Sequence, residues 1–147
     1  MYQKIMVPLD GSERAEVILP HVEDLAGRYQ AEVVFLQVIE PEPLIMGPDV
    51  IYPMVNQNMV EERTQAAENY LAALQAQYEG KLKTATHVGQ GPVVEAIIRH
   101  AERINADLIA MASHGRTGLS RVFYGSVAAG VLNKIDRPLL LIRSQNN

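Results

Sequence analysis

Two stretches of this chain are apolar at successive positions: Val33-Val34-Phe35-Leu36 within Ala31 to Ile39, and Leu108 to Met111. A strand with one face in water alternates apolar and polar residues, so runs of this kind need cover on both faces. That requirement selects a parallel sheet with helices above and below it. Lys4 to Leu9, Lys83 to Val88 and Leu139 to Ile142 are three further short strand-like runs. Helical repeats separate them: Ile18, Val22, Leu25 and Tyr29; Ala67, Tyr70, Leu71, Leu74 and Tyr78; Val94, Ile97, Ile98, Ala101 and Ile104; and Val127 to Ile135. This alternation predicts an α/β fold over residues 1–147, a single doubly wound domain. Its five-stranded parallel sheet has the order 3-2-1-4-5, with four helices on both faces.

Two segments resist the pattern. Pro20 falls inside the first helical repeat and should kink it, unless the helix begins later. Glu40 to Asn56 holds Pro41, Pro43, Pro48, Pro53 and Gly47 and is expected to be irregular. It is long enough for a lid, an interaction surface or a mobile linker, and its apolar residues, Leu44, Ile45, Met46, Ile51, Tyr52 and Met54, favour part of it packing against this subunit or another.

In a sheet of this order the strand order reverses between strands one and four, and ligands bind outside the carboxyl ends there. Asp10 ends the first strand and Ser113 follows the fourth. The fourth strand leads into Ala112 to Val127, which reads Ala-Ser-His-Gly-Arg-Thr-Gly-Leu-Ser-Arg-Val-Phe-Tyr-Gly-Ser-Val. Gly115, Gly118 and Gly125 let backbone N–H groups approach a ligand, Ser113, Thr117 and Ser126 add hydroxyls, and Arg116 and Arg121 add positive charge. Gly125-Ser126 opens the last helix, whose first N–H groups lack internal partners and whose dipole favours an anion. The stretch is a candidate phosphate cradle. The same residues also suit an ordinary loop with Ser126 as a helix cap.

Composition narrows the function classes. A formal charge of −4 and a pI near 5.5 argue against nucleic acid as a partner. No apolar run approaches the roughly 20 residues of a membrane span, and Lys4 to Leu9 is too short for a signal sequence, so the expectation is a cytoplasmic protein with no membrane partner. The absence of cysteine removes disulfides, thiolate metal sites and cysteine nucleophiles. His21, His87 and His100 show no metal-ligand spacing, and no metal site is expected.

The spacing from Ala112 to Ser126 resembles the nucleotide-binding loop of the universal stress protein family, Gly-x2-Gly-x9-Gly-Ser/Thr. Gly115 stands at the second glycine, Gly125-Ser126 at the third glycine and hydroxyl, and Ala112 replaces the first glycine. The likeness extends to Ile5-Met-Val-Pro-Leu-Asp-Gly-Ser12, Gln37-Val38-Ile39, Gly89-x-Gly91, Asp107-Leu-Ile109 and Arg137-Pro-Leu-Leu-Leu-Ile142. It implies adenine near Pro8, Asp10 and Val38. It places the phosphates on Ala112, Ser113, His114, Gly115, Arg116 and Thr117 and on Gly125, Ser126 and Val127, with Met111 also in the site. The cofactor implied is ATP, with Mg2+ as a companion ion, bound by a regulatory or stress-response module without a catalytic residue. A homodimer through the last strand is expected from that strand's apolar sheet edge, and the resemblance points the same way. Two other readings stay open: an adenine-nucleotide hydrolase of low activity, with His114 as a base, and a dimeric interaction protein whose loop is vestigial.

Overall fold

A computed structural model describes residues 1–41, 44–45, 51–52, 57–113 and 125–144. Five strands, β1 (Lys4–Leu9), β2 (Glu32–Ile39), β5 (Thr84–Gln90), β6 (Leu108–Ala112) and β7 (Leu139–Ile142), form one parallel sheet in the order β5-β2-β1-β6-β7. Counted within that sheet, the order is 3-2-1-4-5, with β1 between β2 and β6 at the reversal. The helices are α1 (Glu13–Glu16), α2 (Leu19–Tyr29), α3 (Gln57–Gln77), α4 (Val93–Arg103) and α5 (Ser126–Lys134).

The side-chain period of two sorts the strands onto two cores. Ile5, Val7, Leu9, Val33, Phe35, Leu108 and Ala110 pack with Ala15 of α1, Val22 of α2 and Leu71 and Leu74 of α3. Their neighbours Met6, Leu36, Ile109 and Met111 point the other way, onto Ile97 and Ala101 of α4 and Ala128 and Val131 of α5. Every residue of β6 is buried, as its unbroken apolar run requires.

Four helices are expected from the sequence and five are found among the described residues, because the first repeat is split. Ser12 caps the short α1, its hydroxyl accepting the Ala15 N–H. The helix then restarts at Leu19, so Pro20 sits in the first turn of α2, where its missing N–H breaks no internal bond. The expectation of a wholly irregular Glu40 to Asn56 also needs correction. β3 (Leu44–Ile45) and β4 (Ile51–Tyr52) pair antiparallel, Leu44 opposite Tyr52 and Ile45 opposite Ile51. The prolines flank these pairs rather than occupy them, so the ladder loses no donor. The expected packing of the Leu44, Ile45, Met46, Ile51, Tyr52 and Met54 side chains lies outside what the structure describes.

α4 and α5 lie close together at Gly130. A Cβ there would stand 2.7 Å from Val94 Cγ2 and 3.2 Å from Cγ1, which explains a residue with poor helix propensity in mid-helix. Among the described residues, no helix is long and apolar enough to cross a membrane.

Candidate functional site

A cavity of about 220 Å³ opens at the reversal point, at the carboxyl ends of β1, β2 and β6. β1 contributes Pro8 and Leu9, followed by Asp10; β2 contributes Leu36 and Val38; β6 contributes Met111 and Ala112, followed by Ser113. α4 adds Val93 and Ile97, and the entry to α5 adds Gly125, Ser126, Val127 and Ala128. The structure thus brings together Pro8, Asp10, Val38, Met111, Ala112, Ser113, Gly125, Ser126 and Val127 from four separate parts of the chain. His114, Gly115, Arg116 and Thr117 lie outside the described residues, as does Arg121.

The wall combines an apolar interior with a few polar groups, as small-molecule sites do. Asp10 is the one carboxylate among the described residues that line it. Its Oδ1 accepts from Ser12 N at 2.9 Å and from Ser12 Oγ at 2.5 Å, an Asx turn that fixes the carboxylate. Gly11 supplies the positive φ of +83° that this turn needs.

The Val38 main chain is also placed by register. Gln3 O accepts the Glu32 N–H, whereas Ile39 O, on β2's other edge, accepts the Gly91 N–H, so even-numbered residues of β2 direct their main-chain groups toward β1. The last β1–β2 pair is Leu9 with Gln37. The Val38 carbonyl therefore lies beyond the end of β1, beside the cavity.

Ala112, in place of a glycine, is compatible with this geometry. It closes β6 opposite Ile142 and is absent from the positive-φ positions, so no left-handed backbone excludes its methyl group. Ser113, 2% exposed, then ties the two ends of the loop: its carbonyl accepts the Gly125 N–H at 2.7 Å, and its own N–H donates to Ile142 O at 2.8 Å. The Gly125 N–H is thus spent on Ser113 and does not face the cavity. Gly125 is the N-cap of α5, with Ser126 the first helical residue. The N–H groups of Ser126, Val127 and Ala128 precede the first internal acceptor, Gly125 O, which takes the Ala129 N–H. These three residues form the wall that suits an anion.

The family model for the universal stress protein family matches residues 1–143. The chain belongs to that family. Universal stress protein MJ0577 of Methanocaldococcus jannaschii is 30% identical over 159 residues, covering 100% of this chain and 98% of the relative. The solved structure of MJ0577 superposes with a TM-score of 0.82 at 28% identity, covering 100% of this chain and 99% of that one. A universal stress protein in complex with cAMP matches with a TM-score of 0.65 at 18% identity over 98% of each chain. At3g01520 of Arabidopsis thaliana, a family protein with AMP bound, matches with a TM-score of 0.67 at 13% identity, over 97% of this chain and 92% of that one. At those last two identities the likeness is one of fold.

Sequence reasoning missed the cavity's apolar half. Leu36 and Ile97 read as core positions and Val93 fell outside the apolar repeat, yet all three line the cavity because α4 runs from its rim. Their helical and strand spacing carried no sign of that double use.

Proposed function

We propose that this universal stress protein is an adenine-nucleotide-binding regulatory module of the stress response, with ATP as the ligand. The observation that carries the reading is the α5 N-terminus. Three N–H groups without internal acceptors border a cavity whose remaining wall is apolar enough for a purine ring. The AMP and cAMP complexes of proteins with the same fold support it. Adenine lies against Pro8, Val38 and Met111, and the phosphates lie on Ser126, Val127 and the loop from Ala112 to Thr117. Asp10 is held by Ser12 on one oxygen, so the cavity offers no carboxylate cage for a metal; Mg2+ would arrive with the phosphates. Asp10, the one carboxylate among the described wall residues, is engaged by Ser12, so binding without efficient turnover is expected.

Ligand at about 100 times its Kd stabilises the native state by roughly 2.7 kcal/mol. In a domain of this size that raises Tm by about 5–10 °C. The experiment is a thermal melt with ATP, ADP, GTP or no ligand, run beside a phosphate-release assay. An ATP-induced rise without phosphate release supports the reading. No shift with any nucleotide would favour the vestigial loop, and turnover near about 1 per second would favour an enzyme.

The same proposal includes a homodimer through β7. Among the described residues this strand pairs only with β6, and Pro138 O and Ile142 O accept from Ile109 and Ser113, so the main-chain groups of Leu139 and Leu141 face outward. Their side chains pack, half-buried, against the α4–α5 core, so the outward edge offers main-chain groups beside partly covered leucines. Sedimentation at micromolar concentration should give twice the chain mass. Leu141→Pro, which removes an outward N–H, should give monomer; a monomeric wild type overturns the proposal.

A further inference from the structure

The sequence shows no relation between His87 and His100, but the fold stacks their imidazoles, with centroids 4.1 Å apart and planes 10° from parallel. His87 stands on the edge strand β5 and His100 on the last turns of α4. Arg103 Nη2 reaches both rings, 2.9 Å from His87 Nε2 and 2.7 Å from His100 Nδ1. A guanidinium only donates hydrogen bonds, so both of those ring nitrogens are acceptors. Each ring is therefore neutral, with its proton on the other nitrogen. For His100 that nitrogen is Nε2, buried without a hydrogen-bond partner in a residue only 7% exposed.

We propose that Arg103 and the two stacked histidines form a pH-sensitive latch that fastens the C-terminal half of α4 to β5 at neutral pH and releases it on acidification. Protonating either acceptor nitrogen turns its bond to Arg103 into a contact between two cations. Protonating both adds a second repulsion, face to face. The charges acting on the rings are Arg103 and the histidines themselves, with no carboxylate among them. Elsewhere on α4, Arg99 turns to Gln90 O, and Glu95 is paired with Lys134 of α5. Beyond α5, Arg137 binds the carbonyls of Ala101 and Ala106. β2 presents the uncharged Leu36 to this side. Glu102 also lies on α4 but is not among the charges that act on the rings, so among the described residues no carboxylate compensates a charged imidazole.

Burial above all, then His87 and Arg103, pushes His100 down to about 4, and burial followed by Arg103 lowers His87. Because the closed state binds protons less well than the open one, the latch is fully closed above the ordinary value of 6.5 and is lost as pH falls toward 4. For His100 alone, that gap changes the closed-to-open ratio by at most about 300-fold. This device is independent of the nucleotide reading, although Val93 and Ile97 at the other end of α4 line the cavity.

The test is amide hydrogen exchange on the full chain at pH 7 and pH 4.5, corrected for intrinsic rates, comparing α4 with α2. In wild type, protection of residues 97–104 should fall about tenfold or more relative to α2. A His87→Phe/His100→Phe variant keeps two stacked rings without titration and should lose this difference. An NMR titration of the wild-type imidazoles supplies a second reading if that variant does not fold: His100 should stay neutral to below pH 5. Equal loss of protection in α2 and α4, the same α4 loss in the variant, or a His100 that titrates near 6.5 with α4 still protected would each overturn the latch.

Discussion

Gly125→Val should weaken nucleotide binding by roughly 100-fold or more while the protein still folds. Gly125 has φ −51° and ψ 152°, a conformation open to any L-residue, so the substitution meets no backbone strain. Its N–H remains free to bond Ser113 O, and the buried residues of α5, Ala128 and Val131, are untouched. Valine is a poorer N-cap than glycine, which costs about 1 kcal/mol, within the stability of an ordinary domain. The larger effect falls on the ligand. A branched side chain on the cavity wall would displace phosphate from the N–H groups of Ser126 and Val127. Hydrogen bonds to a charged group are worth about 1.5–3 kcal/mol each, so losing two costs at least about 3 kcal/mol. That is roughly 100-fold in Kd. Calorimetric titration with ATP on wild type and variant, with circular dichroism as the fold control, decides it. Unchanged affinity in a folded variant would remove the α5 entry from the site.

The features that were legible in the sequence are those imposed by burial on both faces. β2 and β6 announced themselves because Val33 to Leu36 and Leu108 to Met111 have no polar face to show. Once these were strands, the helical repeats between them left little choice of topology, and the position of Asp10 and Ser113 at the reversal followed. Local punctuation was less readable. Pro20 signalled a break without saying on which side the helix restarts, since that depends on Ser12 and Asp10 building a separate capped turn first. β3 and β4 were hidden because prolines dominate the composition of their segment, while only the residues between them pair. Contacts made by tertiary structure alone were invisible. The stacking of His87 on His100 depends on the register of β5 against β2 and on the rotation of α4, neither of which leaves a spacing in the chain. Asp107 is similar: it stood out as part of a motif, but its task, accepting the N–H groups of Gln3 and Lys4 at the start of β1, appears only in the fold.

Arg137 carries the second large expected effect, and it too was visible in sequence only as part of a motif. Its Nη1 donates to Ala101 O at 3.0 Å and to Ala106 O at 2.8 Å, and its Nε donates to Asp136 Oδ1 at 2.9 Å. The two alanines are 1% and 3% exposed, so the guanidinium reaches carbonyls that water cannot replace easily. Ala101 lies in the last turns of α4, where its carbonyl also accepts the Ala106 N–H at 2.9 Å and a cation suits the helix dipole. Ala106 stands just before β6, so one side chain ties the end of α4, the start of β6 and the entry to β7. Arg137→Ala should therefore destabilise the protein by about 3 kcal/mol, the lower end for two hydrogen bonds from a charged donor. The corresponding fall in Tm is roughly 6–12 °C for a chain of this length. Arg137→Lys should recover less than half of that loss, because a single ammonium cannot reproduce the planar fork across two carbonyls and Asp136. Asp136→Asn is the control. Its carboxylate is held below the usual range by the hydrogen bond from Arg137, but it lies in water, so its removal should hardly move the melting curve. If Arg137→Ala melts within about 2 °C of wild type, or Asp136→Asn falls as far, the carbonyl contacts are not what holds this corner of the fold together.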